Sequence, residues 1–567
     1  MTTEDGRSVA AEPAGEDQPV TEPELVTEPE PVTEPEPLTE AVTGAGPGPE
    51  APVARVPVQR PPVPERGIVL PSREDPVARA ASNVIGGPAG SRLASATGFW
   101  RAIPVLVLLA AAVLSLGVAQ KSHCRAEGWS SPDQFWHACY SDIPLLYSSV
   151  GLGKADGPGL REALGQATDQ QATLGQPPLA GAAMWVVGQF VTDDGTIYSQ
   201  RRMFDASAIF LVVALLIGVS AIGFAAGRRP WDAAHLALSP LLVTSALISY
   251  DLFAVALLAI ALLAWTREKP LLAGIFLGLA TTARPVAFAV AVVALLLAVR
   301  TKQWSSSVLA FAGAVLTIVL VRVALLPAAG SGISDAWANW KAGGANYGSL
   351  WMVPSLLAQS KPARARWWYT GQGPQAEAVT IGVIVLLAAL AVLVIWLVRS
   401  GRHQVGLAHL GLIAVAGTLI AGKALAPQAS VILLPLIALV GLKWKDHLIW
   451  VTAEITYFVS VWLYLGGGNR GMPAWLYLTF LVARLAALAW LIRCTVVASR
   501  LPGPAPRHAV PGFTDDASPG GELADPGPGA QDASPRDAGV AGAESRDAGV
   551  REEARSEEEP HSASSTP

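Results

Sequence analysis

Apolar residues run in long blocks through the middle of the chain and thin out abruptly toward both ends. With roughly 20 apolar residues as the length that spans a bilayer's hydrocarbon, about twelve blocks predict membrane helices. They are 103–119, 205–226, 233–249, 251–265, 270–283, 285–299, 307–326, 378–398, 407–422, 427–442, 446–465 and 473–495. Several of the middle blocks are short and meet at Tyr250 and Asp251, or at Arg284 and Pro285, with no polar loop between them. The expected fold is an all-α polytopic membrane protein, because a chain in lipid must satisfy its backbone polar groups internally.

The polar positions divide the rest. Residues 1–98 carry the repeat VTEPEL, VTEPEP, VTEPEP, and residues 501–567 are again rich in Gly, Ala, Pro and acids, with DAGV recurring at Asp537 and Asp547. Both compositions predict disordered tails. The first apolar block begins only near Ile103, too late for a cleavable signal peptide. Residues 99–500 are then the membrane domain. Basic residues collect at alternate turns: Arg92 and Arg101, Arg228 and Arg229, Arg267 and Lys269, Arg300 and Lys302, Arg399 and Arg402, Lys443 and Lys445, Arg493 and Arg500. The positive-inside rule therefore places both termini in the cytoplasm of a plasma-membrane protein, and loops 120–204 and 327–377 outside. Within the first outer loop, 178–191 is apolar but too short to span, and predicts an interfacial or re-entrant helix.

Composition sharpens this. A hydrophobic fraction of 51% and a mean hydropathy of +0.40 exceed what a soluble domain carries. The net charge of −5 comes largely from the tails, so nucleic acid is not an expected partner; membrane lipids are. Cys124 and Cys139 are two of three cysteines and both lie in the first outer loop, where a disulfide would persist and constrain the chain by about 3 kcal/mol. Two unpaired thiols are the alternative. CxxC pairs, HExxH and Walker loops are missing from the sequence, so neither an obligatory metal nor a nucleotide cofactor is expected, although an outer-loop acidic pair could recruit a divalent ion.

Charges in or beside apolar blocks are costly and call for an explanation. Asp142, in CYSDIPLLY, is either a helix N-cap or a catalytic carboxylate. Arg284, in TTARPVA, and Lys423, in GKALAPQAS, are either snorkelling cations or phosphate ligands. Asp205 and Asp251 fit helix N-caps better than a reactive role. Arg322 closes the set. Trp337, Trp340, Tyr347 and Trp351 could stack on sugars, although interfacial aromatics are commoner.

These features together resemble the polyprenyl-phosphate-mannose-dependent glycosyltransferases of the GT-C superfamily, in the actinobacterial branch of glycosyltransferase family 87. The likeness covers roughly 101–500 and rests on Tyr140-Ser141-Asp142, on RRPWDA from Arg228, on ISYDLFAVALLAIALLAW, on NYGSLW from Asn346, and on Lys423, Pro427 and Gln428. It departs from the family at Gly175-Gln176-Pro177, where a glutamate-tyrosine-proline is usual, at Arg284, where a lysine is usual, and at Ala426 and Ala429. The resemblance implies a GT-C-like bundle with a large first extracytoplasmic loop. It also implies transfer of a hexose, mannose in this branch, from a polyprenyl phosphate to a hydroxyl of an outer-leaflet lipid, glycan or protein, with inversion. Asp142 would be the base, and Arg284, Lys423, Gln428, Asp251 and Tyr140 would hold substrate. A flippase for the lipid-linked sugar, or a silent cell-envelope scaffold, are the rival expectations.

Overall fold

A computed structural model describes residues 75–84, 99–165, 172–325, 333–359, 374–400 and 405–500. The repeat-bearing part of the N-terminal tail, the C-terminal tail and Arg402 lie outside the described residues. Among the described residues the chain is helical throughout, with no strands. Six helices are long and apolar enough to cross a membrane: Ala102–Gln120, Ile197–Ala225, Trp304–Leu325, Ala376–Arg399, Trp444–Gly466 and Ala474–Ala498. The chain is a multi-pass membrane protein. Shorter apolar helices cover Pro178–Gly188, Asp251–Thr266, Pro270–Ala283, Pro285–Thr301, Leu407–Ala421 and Pro427–Val440.

Length and burial go together. In Asp251–Thr266 every residue except Phe253, Ile260 and Leu263 is buried, as expected of a helix that is apolar on all sides and lies inside a bundle. The long Trp304–Leu325 helix instead exposes Leu316, Leu320 and Val323, the surface lipid would cover. It packs against Pro270–Ala283 across a seam of small residues. A Cβ at Gly274 would run into the Ala310 carbonyl, and one at Gly278 would meet the Ala314 carbonyl and Thr317 Cβ at 2.6 Å. Membrane helices gain no hydrophobic drive from each other, so close backbone approach of this kind supplies the attraction.

Three expectations change. The block 233–249 is not one helix but a 3-10 turn at Pro230–Ala233 and short pieces at Ala234–Ala237 and Leu241–Ser245. Pro240 lacks an N–H and disfavours helical backbone at Ser239. The broken stretch survives because it is sealed in protein, with Leu236, Leu241 and Ile248 all fully buried, the condition under which irregular backbone is tolerated at membrane depth. The second change is Asp205. It is not an N-cap, since its helix starts at Ile197 under a Thr196 cap; it takes a two-pronged bond from Arg125, at 2.8 and 2.7 Å.

The third lies within the expected N-terminal tail, where Pro76–Val84 is helical. Asp75 caps it through Oδ1, accepting from Val77 N at 2.8 Å, while Oδ2 accepts from Trp444 N at 2.7 Å. One carboxylate thus occupies the open N–H groups of two helices.

Gly274→Val is expected to lower the melting temperature in detergent clearly more than the same change at Gly159, which has φ −63° and where an added Cβ would meet only Glu162 Oε2, at 3.8 Å. Equal shifts in a thermal-shift series would reject the seam.

Candidate functional site

The first loop is braced before it delivers a side chain. Cys124 and Cys139 form a disulfide, and Trp129 Nε1 donates to the Cys139 carbonyl at 3.1 Å. Immediately beyond, Ser141 caps the Asp142–Val150 helix. Its hydroxyl donates to the Leu247 carbonyl at 2.9 Å, and the Asp142 N–H donates to the Ile248 carbonyl at 2.8 Å. Those carbonyls are available because the 233–249 stretch is not helical. Asp142 is the first residue of its helix and not its cap, so its carboxylate is left for other work.

Tyr140 OH donates to Asp142 Oδ1 at 2.7 Å, and Gln428 Nε2 approaches Oδ2 at 3.4 Å. The other Gln428 amide atom, Oε1, is buried with no hydrogen-bond partner, an acceptor that a hydroxyl-bearing ligand could satisfy. Tyr140 is wedged by rings, stacked on Trp462 at 4.4 Å and on Phe135 at 5.5 Å. Burial pushes the Asp142 carboxyl up to about 6; the Tyr140 hydrogen bond opposes that, the Asp251 charge adds to it, and Arg284 and Lys121 pull it down. Lys121, fully buried, donates to the Tyr140 carbonyl at 3.0 Å. Burial lowers its ammonium to about 7, with Asp142 acting in the other direction.

Asp251 and Arg284 complete the cluster. Arg284 Nε lies 3.1 Å from Asp251 Oδ1, and Ser249 Oγ donates to Oδ2 at 2.6 Å. Asp251 is the first helical residue after Tyr250, and its carboxylate serves the arginine and not the helix end. Arg284 is in extended backbone, φ −149° and ψ 105°, between Pro270–Ala283 and Pro285–Ala287. The following proline disfavours helix there, which turns the guanidinium out of the helical row.

Lys423 is placed differently. Its ammonium donates to the carbonyls of Trp340, Lys341 and Gly343 and to Thr380 Oγ1, at 2.7, 3.3, 2.6 and 2.7 Å. It also lies 4.4 Å from the centre of the Trp340 ring, itself stacked on Trp337. In this arrangement Lys423 ties the second loop to the 422–426 turn. The NYG stretch makes the same junction: Asn346 N donates to the Lys423 carbonyl at 2.8 Å and Leu425 N to the Tyr347 carbonyl at 3.1 Å. Gly348 has φ +79°, and a Cβ there would strike the Leu425 carbonyl, so only glycine fits. Trp351 bonds the Ala421 carbonyl and is fixed in the wall.

Spacing alone did not single out the support beneath Gln428. Arg484, fully buried, donates through Nε to Glu454 at 2.8 Å and through Nη2 to the Ala426 carbonyl and Ser430. Glu454 also accepts from Ser430 and Trp450. Two charges inside apolar blocks, at LVARLAAL and TAEITYF, were the available signal. RRPWDA forms a buried Arg229–Asp232 ion pair at 2.7 Å, beyond the C-terminal end of Ile197–Ala225 and far along the chain from Asp142.

Residues 177–422 match the model of Glycosyltransferase family 87. Asp251 and Arg284 fall inside this stretch; Tyr140, Asp142, Lys423 and Gln428 fall outside. No curated protein matches the chain, and no solved structure does.

Arg484→Met leaves Glu454 buried without its partner, a change expected to cost about 3–5 kcal/mol. The double variant Arg484→Met/Glu454→Gln should recover much of it. Thermal melts in one detergent check this, and a double variant no more stable than the single would reject the coupling.

Proposed function

We propose that the protein transfers a hexose, mannose by the family resemblance, from a polyprenyl phosphate to an acceptor hydroxyl outside the cell. The match to Glycosyltransferase family 87 supports glycosyl transfer from a lipid-linked donor. The observation that carries the reading here is that Asp142, from a loop outside the matched stretch, is held through its N–H on the Ile248 carbonyl, three residues before the Asp251 carboxylate that pairs with Arg284 within that stretch.

Asp142 takes the acceptor proton as that oxygen bonds to the anomeric carbon. The bond from that carbon to the phosphate oxygen breaks, its electron pair leaves with polyprenyl phosphate, and the configuration inverts. Tyr140, whose hydroxyl is held protonated by burial and the neighbouring carboxylate, orients Asp142. Arg284 spends Nε on Asp251, and its planar fork carries further donors suited to a phosphate. The charge of Lys121 favours ionised Asp142. Lys423 contributes by holding the second loop over the site.

Orientation follows from the alternation of helix ends. Asp142, Asp251, Arg284 and Gln428 share one end of the bundle, while Arg267, Arg300, Lys443 and Arg493 belong to turns or helix ends one span away. With basic turns taken to face the cytoplasm, the proposal has the carboxylate outside and both termini inside. The twelve-span GT-C-like bundle belongs to the same proposal.

In membranes supplied with polyprenyl-phosphate mannose, Asp142→Asn is expected to lower transfer by about 10²–10⁴-fold. Retained transfer would remove Asp142 from the mechanism. Wild-type kcat/KM should rise with pH through about 6, as the base loses its proton. The same shift has a stability consequence. A carboxyl whose folded pKa is raised stabilises most below its ordinary value near 4 and loses that contribution as pH climbs through 6. Asp142→Asn should therefore melt higher than wild type at pH 7.5 and level with it at pH 4, an inactive but sturdier protein. Melting below wild type at pH 7.5 would mean that the charged form is what the fold favours.

A further inference from the structure

We propose that the first loop binds one divalent transition ion of the Zn²⁺ class through His123, Asp133 and His137. The three offer one ligand atom each, all within 4.8 Å of one another. His123 Nε2 lies 2.7 Å from Asp133 Oδ2, and His137 Nδ1 lies 3.1 Å from Asp133 Oδ1. The two imidazoles stack with centres 3.6 Å apart and planes 26° from parallel. Two nitrogens and a carboxylate oxygen are borderline donors that suit Zn²⁺. At Zn–N and Zn–O lengths of about 2.0–2.1 Å, donors in a tetrahedron sit about 3.3 Å apart. His123 Nε2 and Asp133 Oδ2, at 2.7 Å, are closer than that, and His137 Nδ1 and Asp133 Oδ1, at 3.1 Å, nearly match it; admitting an ion needs the first pair to part and one stacked ring to turn about its χ angles so that both nitrogens point at a common centre.

The scaffold holds these donors in place without the ion. His123 adjoins Cys124 and His137 lies two residues before Cys139, so the disulfide closes the chain behind both. Asp133 and His137 are an i, i+4 pair at the Asp133–Trp136 turn. All three side chains are 35–38% exposed, which leaves a path for the ion and room for water in the fourth position. The sequence separations of ten and four residues match no compact zinc signature, so spacing alone predicted no metal.

The site is separate from the Asp142 cluster and does not depend on sugar transfer. An ion there would pin the turn that carries Phe135, whose ring backs Tyr140, and Trp136, whose Nε1 reaches the Gly467 carbonyl. Its role would be that of a structural clamp on the outer face of the loop.

The test uses the full chain in detergent with a tag free of histidine, stripped by chelator and returned to limiting Zn²⁺. Metal analysis is expected to find one zinc per wild-type chain and none on a His123→Gln/His137→Gln variant that elutes as a folded peak. Chelation should lower the melting temperature of wild type and leave the variant unmoved. Equal zinc on both proteins, or none on wild type, overturns the proposal. If the double variant does not fold, Co²⁺ titration of wild type decides: a visible d–d band displaced by Zn²⁺ supports the site, and a featureless spectrum rejects it. Asp133→Asn is expected to weaken Zn²⁺ by about tenfold or more; unchanged affinity would exclude the carboxylate.

Discussion

The bonds from Ser141 and the Asp142 N–H to the carbonyls of Leu247 and Ile248 join two parts of the chain that neither could organise alone. A loop outside the apolar blocks gains a fixed seat, and a stretch of irregular backbone deep in the bundle has its open carbonyls filled. Each unpaired polar group there would cost several kcal/mol. The carboxylate position is therefore set by the need to satisfy backbone, and Asp142 is carried along. Had 233–249 been a regular helix, those carbonyls would have been spent internally and the loop would have had nothing to grip.

Around this seat the charges are arranged in two shells of different character. Asp142, Asp251, Arg284 and Lys121 share one field in which no single ion pair claims Asp142, and burial dominates its proton affinity. Below them, Arg484 and Glu454 are fully buried and mutually satisfied. Their hydrogen bonds end on Ala426 and Ser430, the residues flanking Gln428, so a closed polar network holds one wall of an open one.

Most of the helices could be read from apolar blocks alone, because lipid imposes a length and excludes unsatisfied backbone. The exception was 233–249, where composition is as apolar as in its neighbours and only Pro240 signals the break. Tyr140, Asp142, Asp251, Arg284 and Gln428, which the sequence scatters over almost three hundred residues, do come together. Lys423 was equally conspicuous as a charge beside an apolar block, but its partners are mostly backbone carbonyls, with the Thr380 hydroxyl beside them, which no residue pattern announces. Glu454 and Arg484 are also charges inside apolar blocks, yet neither was among the residues singled out from the sequence. Their pairing depends on how two helices are rotated about their axes, which hydropathy does not specify.

The capping by Asp75 reaches further than its local geometry suggests. Because the same side chain closes the head of its own short helix and that of a helix 369 residues later, the Pro76–Val84 helix is moored at a defined point. Shortening the chain upstream of residue 75 would leave that mooring whole. Trimming past it would unroof the Trp444 helix, so the natural place to begin a shortened version for imaging lies before this aspartate and not at the first apolar block.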